Sequence, residues 1–172
     1  MTVTSERPAP PVSPAGTADA SVLLRRTLRR HAAGVTVITV PGPAGFTATS
    51  FTSVSLDPAL VTFYLGLTAS TARAVQEAEH FAVHVLGPGN AALAQQFARS
   101  GTDRFAGVSW TRSPDGLPLL DGVPAWLTAR VTLRQRIGDH LQIVGEVETG
   151  GGPATGPGLV HHDGVFASTA SL

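Results

Sequence analysis

Leu127-Thr128-Ala129-Arg130-Val131-Thr132-Leu133-Arg134, followed after a short gap by Leu141-Gln142-Ile143-Val144-Gly145-Glu146-Val147-Glu148, reads as a long β-hairpin. Successive strand side chains point to opposite faces, so Leu127, Ala129, Val131 and Leu133 share one face and Thr128, Arg130, Thr132 and Arg134 the other. Leu141, Ile143, Gly145 and Val147 repeat the alternation, opposed by Gln142, Glu146 and Glu148. A three-residue loop at Gly138-Asp139-His140 pairs Val131 with Val147 and Arg130 with Glu148, whereas a two-residue loop sets Val131 against Glu146. Matching of faces predicts the three-residue loop.

Outward from this hairpin the chain keeps a β character. Residues 60–67 are apolar on both faces and predict a strand flanked on both sides; 81–86 form another. Val35-Thr36-Val37-Ile38-Thr39-Val40 is β-branched and ends at the turn Pro41-Gly42-Pro43. An uncharged run over 46–56 stops at Asp57-Pro58, and a last strand is expected at 159–166 beyond the glycine-rich 150–158 segment. Helices are predicted at 19–32 with Asp19 as N-cap, at 70–79, and at 91–98 capped by Asn90. Residues 100–124 read as loop, with Trp110 packed within it, and 1–18 as a disordered Pro/Ala-rich tail ahead of one domain over 19–172. Six or seven hairpin-connected strands with two or three helices lack the βαβα order of a doubly wound sheet. A closed antiparallel barrel with peripheral helices fits, because closure removes exposed edges.

Composition narrows the chemistry. Of 172 residues, 12 are basic and 12 acidic, giving a formal net charge of zero; every basic residue is arginine, and cysteine is absent. The balance argues against a nucleic-acid partner. Without cysteine there is no disulfide, thiolate nucleophile or cysteine-bound metal centre, and without lysine no Schiff base or P-loop lysine. No stretch approaches the roughly 18 apolar residues of a membrane span, so a cytoplasmic protein with no membrane partner is expected.

Three groups of residues could carry chemistry. Phe46-Thr47-Ala48-Thr49-Ser50-Phe51-Thr52-Ser53-Val54-Ser55 holds six hydroxyls and no charge. It reads either as a half-buried strand or as an edge that binds a polar, planar ligand. Thr68-Ala69-Ser70-Thr71-Ala72-Arg73 opens a predicted helix, where backbone N–H groups and hydroxyls suit an anion, although N-capping explains the hydroxyls equally well. His80 and His84 have i,i+4 spacing but lie on a strand, so no metal site is expected, and His140 sits in the hairpin loop next to Asp139, open to a ligand.

In order along the chain these stretches resemble the flavin reductase-like proteins of the FMN-binding split-barrel fold, over about residues 24–166. Gly34-Val35-Thr36-Val37-Ile38-Thr39 is similar to the opening strand, and Thr47-Ala48-Thr49-Ser50-Phe51-Thr52-Ser53-Val54-Ser55-Leu56-Asp57-Pro58 to the most characteristic motif. Phe81-Ala82-Val83-His84-Val85-Leu86, Asp103-Arg104-Phe105-Ala106-Gly107-Val108-Ser109-Trp110, Gly138-Asp139-His140, Gly145-Glu146-Val147 and His162-Asp163-Gly164 follow in the expected order.

The resemblance implies a mainly β fold, a six-stranded antiparallel split barrel, forming a homodimer with FMN or FAD near the interface. It implies an NAD(P)H:flavin oxidoreductase, with NADH or NADPH as hydride donor and a separate monooxygenase receiving the reduced flavin. Carried over by residue, Thr47, Ala48, Thr49 and Ser50 lie along the isoalloxazine with Ser53 and Ser55 nearby. Ser70 and Thr71 face the phosphate, Phe105 the cofactor's surroundings, and His140 the nicotinamide; His84, His162 and Phe166 complete the cofactor contacts. No nucleophile, metal or lysine is needed, since the cofactors supply the reactivity and the protein the orientation.

The chain departs from the family pattern at several positions. Thr49 and His84 stand where asparagine is usual, Ala59 replaces a proline, Ala69 a serine, and Phe166 a tyrosine. The alternative reading, motivated by Thr49 and His84, is a barrel that binds flavin or another small molecule without turnover.

Overall fold

The computed structural model describes residues 16–170. Strand β2 (Thr36–Val40) is buried at all five positions, because its alternating side chains feed two cores. Ile38 and Val40 enter one with Phe46, Phe63, Phe81, Val83 and Ile143. Val37 enters the other with Leu86, Phe97, Leu120, Val123 and Leu159.

Around β2 the chain builds one seven-stranded antiparallel sheet from β3 (Ala44–Ala48), β4 (Thr52–Leu56), β5 (Ala59–Gly66), β6 (His80–Val85), β9 (Ala125–Ile137) and β10 (His140–Gly151). Its order, β3-β2-β6-β9-β10-β5-β4, starts and ends on strands that are consecutive in sequence. Residues 49–51 therefore carry the chain from one edge of the sheet to the other and close it covalently, as a barrel split at one seam. Ser50 ties that closing segment to β5: its hydroxyl donates to the Tyr64 carbonyl at 3.0 Å and accepts from the Tyr64 N–H at 3.1 Å. The expected barrel is present with one more strand than six, because the 46–56 run divides into β3 and β4 at the seam.

The β9–β10 hairpin corrects the predicted loop. His140 pairs with Ile137, so the loop is the two-residue Gly138-Asp139, with Gly138 at φ +59°. This glycine-first loop is a favoured hairpin connection. Faces are matched instead by a β-bulge at Thr132, after which Gly145 opposes Val131 and Glu146 opposes Arg130, and a compensating shift follows at Glu148. Arg130 accordingly meets Glu146 at 2.7 Å, with Glu148 farther away at 3.7 Å.

Two small sheets cover the barrel. The stretch read as loop contains the hairpin β7 (Trp110–Arg112) and β8 (Pro118–Leu120); Trp110 packs edge-on against Phe105 at 5.8 Å. The expected single strand at 159–166 is a hairpin, β11 (Leu159–His162) and β12 (Val165–Ser168), added to β1 (Ala33–Gly34). Its turn has positive φ at Asp163 and Gly164, the backbone of an Asp-Gly hairpin turn.

Helix α1 (Thr17–Leu28) has Gly16, not Asp19, at its N-cap and ends four residues before the expected 32. The tail expected over 1–18 lies outside the described residues up to 15, and its last two positions belong to α1. α2 (Ala72–Glu77) is shorter than predicted, and α3 (Ala91–Ala98) follows a single 3-10 turn. Asn90 precedes α3 but does not cap it; its amide instead accepts from Gly87 N–H and donates to the Gly122 carbonyl.

Candidate functional site

Of the predicted site residues, Ser50 and His140 meet the C-terminal end of β5. Tyr64 holds Ser50 of the closing segment. At Gly66, a side-chain Cβ would stand 4.0 Å from His140 Nε2, so the imidazole lies over a position that has no side chain of its own. The Leu67 N–H donates to the Asp139 carbonyl at 3.0 Å, fixing the hairpin tip to the chain that continues into Ser70 and Thr71. His140 is half exposed, and its Nδ1 lies 2.6 Å from Asp139 Oδ1. That hydrogen bond, together with the imidazole's charge, holds the Asp139 carboxyl below the usual carboxylate range.

Ser70 and Thr71 line a cavity of about 320 Å³ with Gly45, Asp103, Arg104 and Phe105. Neither hydroxyl caps α2: Thr71 makes no capping bond, and its Oγ1 is buried without a partner. Capping thus does not account for these hydroxyls. Arg104 crosses the floor of the cavity, donating to the Arg99 carbonyl at 2.5 Å, the Gly45 carbonyl at 2.8 Å and Ser70 Oγ at 3.2 Å. Partial burial holds its guanidinium below the usual arginine range. Phe105 is anchored edge-on against Phe97 at 5.0 Å. Arg104 was not among the expected contacts, although it stands inside the quoted 103–110 stretch; the signal was there, but a lone arginine in a loop does not show what it meets.

The hydroxyl-rich run is divided between roles. Thr47 Oγ1 donates to the Ala94 carbonyl at 2.6 Å and ties β3 to α3, while the Ala48 carbonyl accepts from Thr36. Thr49 is exposed. Ser53 and Ser55 lie on β4, which runs away from the cavity beside the N-terminal half of β5, and Ser55 Oγ accepts from Asp57 N–H.

His84 is fully buried in the barrel wall, against the expected cofactor contact. Its Nδ1 lies 3.1 Å from the Val37 carbonyl, and its Nε2 accepts from Leu120 N–H at 3.0 Å. Both ring nitrogens are therefore used inside the chain, in the neutral form with the proton on Nδ1. Burial pushes the ring's pKa down to about 4. His162 and Phe166 lie in the β1-β11-β12 sheet, where Phe166 packs against His161 and the second core, and neither lines the cavity. Among the described residues no group of three His, Asp or Glu could hold a metal ion, and no helix is long and apolar enough to cross a membrane.

A family model described as flavin reductase like domain matches residues 28–170. The chain is 44% identical over 151 residues to an NADH:FMN oxidoreductase of Rhodococcus qingshengii, covering 83% of this chain and 78% of that one. Its fold matches the NADH:FAD oxidoreductase SgcE6 of Streptomyces globisporus C-1027, solved with NAD and FAD fragments, at a TM-score of 0.82 and 36% identity over 92% of this chain and 98% of that one. It also matches nitrilotriacetate monooxygenase component B from Mycobacterium thermoresistibile, at a TM-score of 0.83 and 29% identity, covering 90% and 89% of the two chains.

Proposed function

This chain belongs to the flavin reductase-like domain family, and on that premise we propose that it is an NAD(P)H-dependent flavin reductase supplying reduced flavin to a separate monooxygenase. The observation that carries the reading to this site is the unpartnered Thr71 hydroxyl in the wall of the cavity. A buried hydroxyl without a partner costs about 1–3 kcal/mol, which a ligand oxygen would recover. Ser70, Thr71 and Arg104 fit the phosphate of FMN or FAD; the flavin, when bound, accepts hydride from NADH or NADPH.

The chain's own residues orient. Ser50 fixes the closing segment, so the backbone at 47–50 offers a preset edge to the ring, and Thr49 beside it is exposed. His140, held through Nδ1 by Asp139, offers Nε2 over Gly66 to position the nicotinamide. The reading without turnover is motivated by Thr49 and His84; His84 is part of the wall and does not line the cavity.

The same reading makes the protein a cytoplasmic homodimer. What supports the dimer is apolar surface left open: Leu56 is 93% exposed on the edge strand β4, and Val54, Leu133, Ile137 and, on α1, Val22, Leu23, Leu24 and Leu28 are also exposed. Sedimentation equilibrium is expected to return the mass of two chains; a monomer at micromolar concentration would refute the dimer.

The activity is tested by adding FMN or FAD with NADH or NADPH and following loss of reduced-nicotinamide absorbance. Flavin-dependent oxidation with at least one pair is expected, and none with any of the four pairs refutes the function. His140→Ala is expected to raise the KM for the nicotinamide about tenfold, the size of one charge-assisted hydrogen bond, with flavin affinity unchanged. An unchanged KM removes the assigned role.

A further inference from the structure

NADH and NADPH carry an adenosine and its phosphates beyond the nicotinamide end, and His140 serves that end alone. A second cavity, of about 480 Å³, opens between α1 and the β11–β12 turn. Leu24, Arg25, Leu28 and Arg29 line it from the helix, and Asp163 and Gly164 from the turn. Arg29 fixes the two walls to each other: its Nε donates to Asp163 Oδ1 at 2.9 Å, and the Asp163 N–H donates back to the Arg29 carbonyl at 3.0 Å.

This cavity stands at the same end of the barrel as His140. From α1 the chain passes through β1 into β2 at Thr36, whose hydroxyl donates to the Ala48 carbonyl. Two residues on, Ser50 is held by Tyr64, and two residues along β5 from there Gly66 lies under His140. The hydrogen bond from His140 is the main cause of the low Asp139 carboxyl, and the charge of Arg25 adds to it, so helix and hairpin tip are within electrostatic reach.

Two kinds of surface meet in it. Leu24 and Leu28 are 58% and 54% exposed and give an apolar wall that suits the face of a planar ring. Arg29 and Asp163 answer each other's charge, whereas Arg25 has no hydrogen bond or ion pair among the described residues. Its guanidinium is a free planar fork, matched in geometry and charge to a phosphate. An apolar wall beside one unspent cation is the chemistry that takes a heteroaromatic ring joined to a phosphate. Of the exposed apolar side chains of α1, only Leu24 and Leu28 line the cavity, which leaves Val22 and Leu23 to the dimer. Leu24 and Arg25 also precede residues 28–170, the span shared with the family, so this wall is the chain's own addition to the common domain.

We propose that the cavity between α1 and the β11–β12 turn receives the adenosine-phosphate half of the nicotinamide nucleotide, an inference that rests on the flavin-reductase reading. Arg25 meets a phosphate there, and Leu24 and Leu28 meet the adenine. The phosphate is either the pyrophosphate that both nucleotides carry or the 2′-phosphate of NADPH alone. The chemistry recognised is the same.

The test compares wild type, Arg25→Gln and Leu24→Ala at saturating flavin with NADH, NADPH and reduced nicotinamide mononucleotide, which lacks the adenosine half. On the same proteins without flavin, calorimetry reads the binding of ADP-ribose and 2′-phospho-ADP-ribose, which lack the nicotinamide. Wild type is expected to show a KM for the mononucleotide at least about tenfold above that for its better dinucleotide. Arg25→Gln is expected to raise the KM about tenfold for NADPH or for both dinucleotides, the worth of one charge-assisted hydrogen bond, and to weaken the corresponding ADP-ribose equally. Leu24→Ala is expected to weaken the same ADP-ribose about threefold. A loss for NADPH alone assigns Arg25 to the 2′-phosphate, and an equal loss for NADH assigns it to the pyrophosphate. The mononucleotide reports on the nicotinamide end and on folding. If Arg25→Gln raises its KM as much as the others, if neither dinucleotide KM changes, or if wild type turns over a dinucleotide but binds neither ADP-ribose, the proposal is overturned while the reductase reading stands. If wild type oxidises none of the three, both fall.

Discussion

Phe81→Ala is expected to destabilise the protein by about 3–5 kcal/mol, the usual cost of emptying a large aromatic site in a core. Phe81 is 1% exposed and packs edge-on against Phe63 at 5.1 Å, which in turn meets Phe46 at 5.8 Å. This aromatic row joins β6, β5 and β3 across the barrel interior. Its far end rests on an absence: at Gly145 a Cβ would stand 2.5 Å from Phe81 Cε1 and 3.1 Å from the Ala129 methyl. Gly145 is therefore a spatial requirement of the ring, not a turn residue. Gly145→Ala is expected to cost about 1–3 kcal/mol by overpacking. In Phe81→Ala/Gly145→Ala the new methyl enters the space the ring has left, so the double variant is expected to be more stable than the sum of the two singles predicts. Urea unfolding of the three variants checks this; strict additivity would mean that Gly145 is not filled by the Phe81 ring.

Acid is expected to remove stability through His84. The folded protein holds its pKa near 4 against an ordinary 6.5, chiefly because burial penalises the charged ring. Above pH 6.5 the ring is neutral folded or unfolded, and the linkage is silent. Between pH 6.5 and about 4 the unfolded chain takes up a proton that the folded chain refuses, so stability falls as pH falls. Across that window the loss from this residue is on the order of 3 kcal/mol. His84→Gln keeps a donor for Val37 and an acceptor for Leu120 but does not titrate. The stability advantage of wild type over this variant is expected to shrink with acidification over that window, by up to ~1.4 kcal/mol per pH unit. A difference that is the same at pH 7 and pH 4.5 would show that His84 does not stay neutral in the wall.

Much of the barrel is legible in the chain because strand alternation is a local signal. The hairpin at 127–148, the buried β2 and the flanked β5 all follow from which residues alternate and which do not. The errors came where two local signals compete. Gly138-Asp139 is itself a two-residue hairpin signal, but pairing of faces favoured an odd loop; the chain satisfies both by inserting Thr132 as a bulge, which alternation cannot announce. Asp163-Gly164 likewise marks a turn that an apparently continuous strand concealed.

The candidate site divides along the same line. Ser70, Thr71 and His140 read as residues suited to an anion or a ligand and Phe105 follows from the family resemblance; the fold puts Ser70, Thr71 and Phe105 on one cavity and His140 over Gly66 at the end of β5. Whether a hydroxyl is free or spent depends on what stands opposite it, and nothing local says so. Thr47 is spent on α3, Ser50 on the seam, Ser55 on its own turn, and Thr71 on nothing. His84 looked available because two β-branched neighbours and an alanine reveal neither Val37 nor Leu120.

By itself, then, the amino-acid order determined an antiparallel barrel, a hydroxyl-rich segment at its seam, and chemistry without cysteine or lysine, since periodicity and composition act over a few residues at a time. Only the tertiary structure decided which polar groups remain unsatisfied. Arg104 and Thr71 are 33 positions apart in the chain, and their shared cavity exists because β3, the segment before α2 and the loop after α3 meet there. Hydrogen-bond satisfaction is settled between such distant segments, and it is what separates a wall histidine from a binding residue.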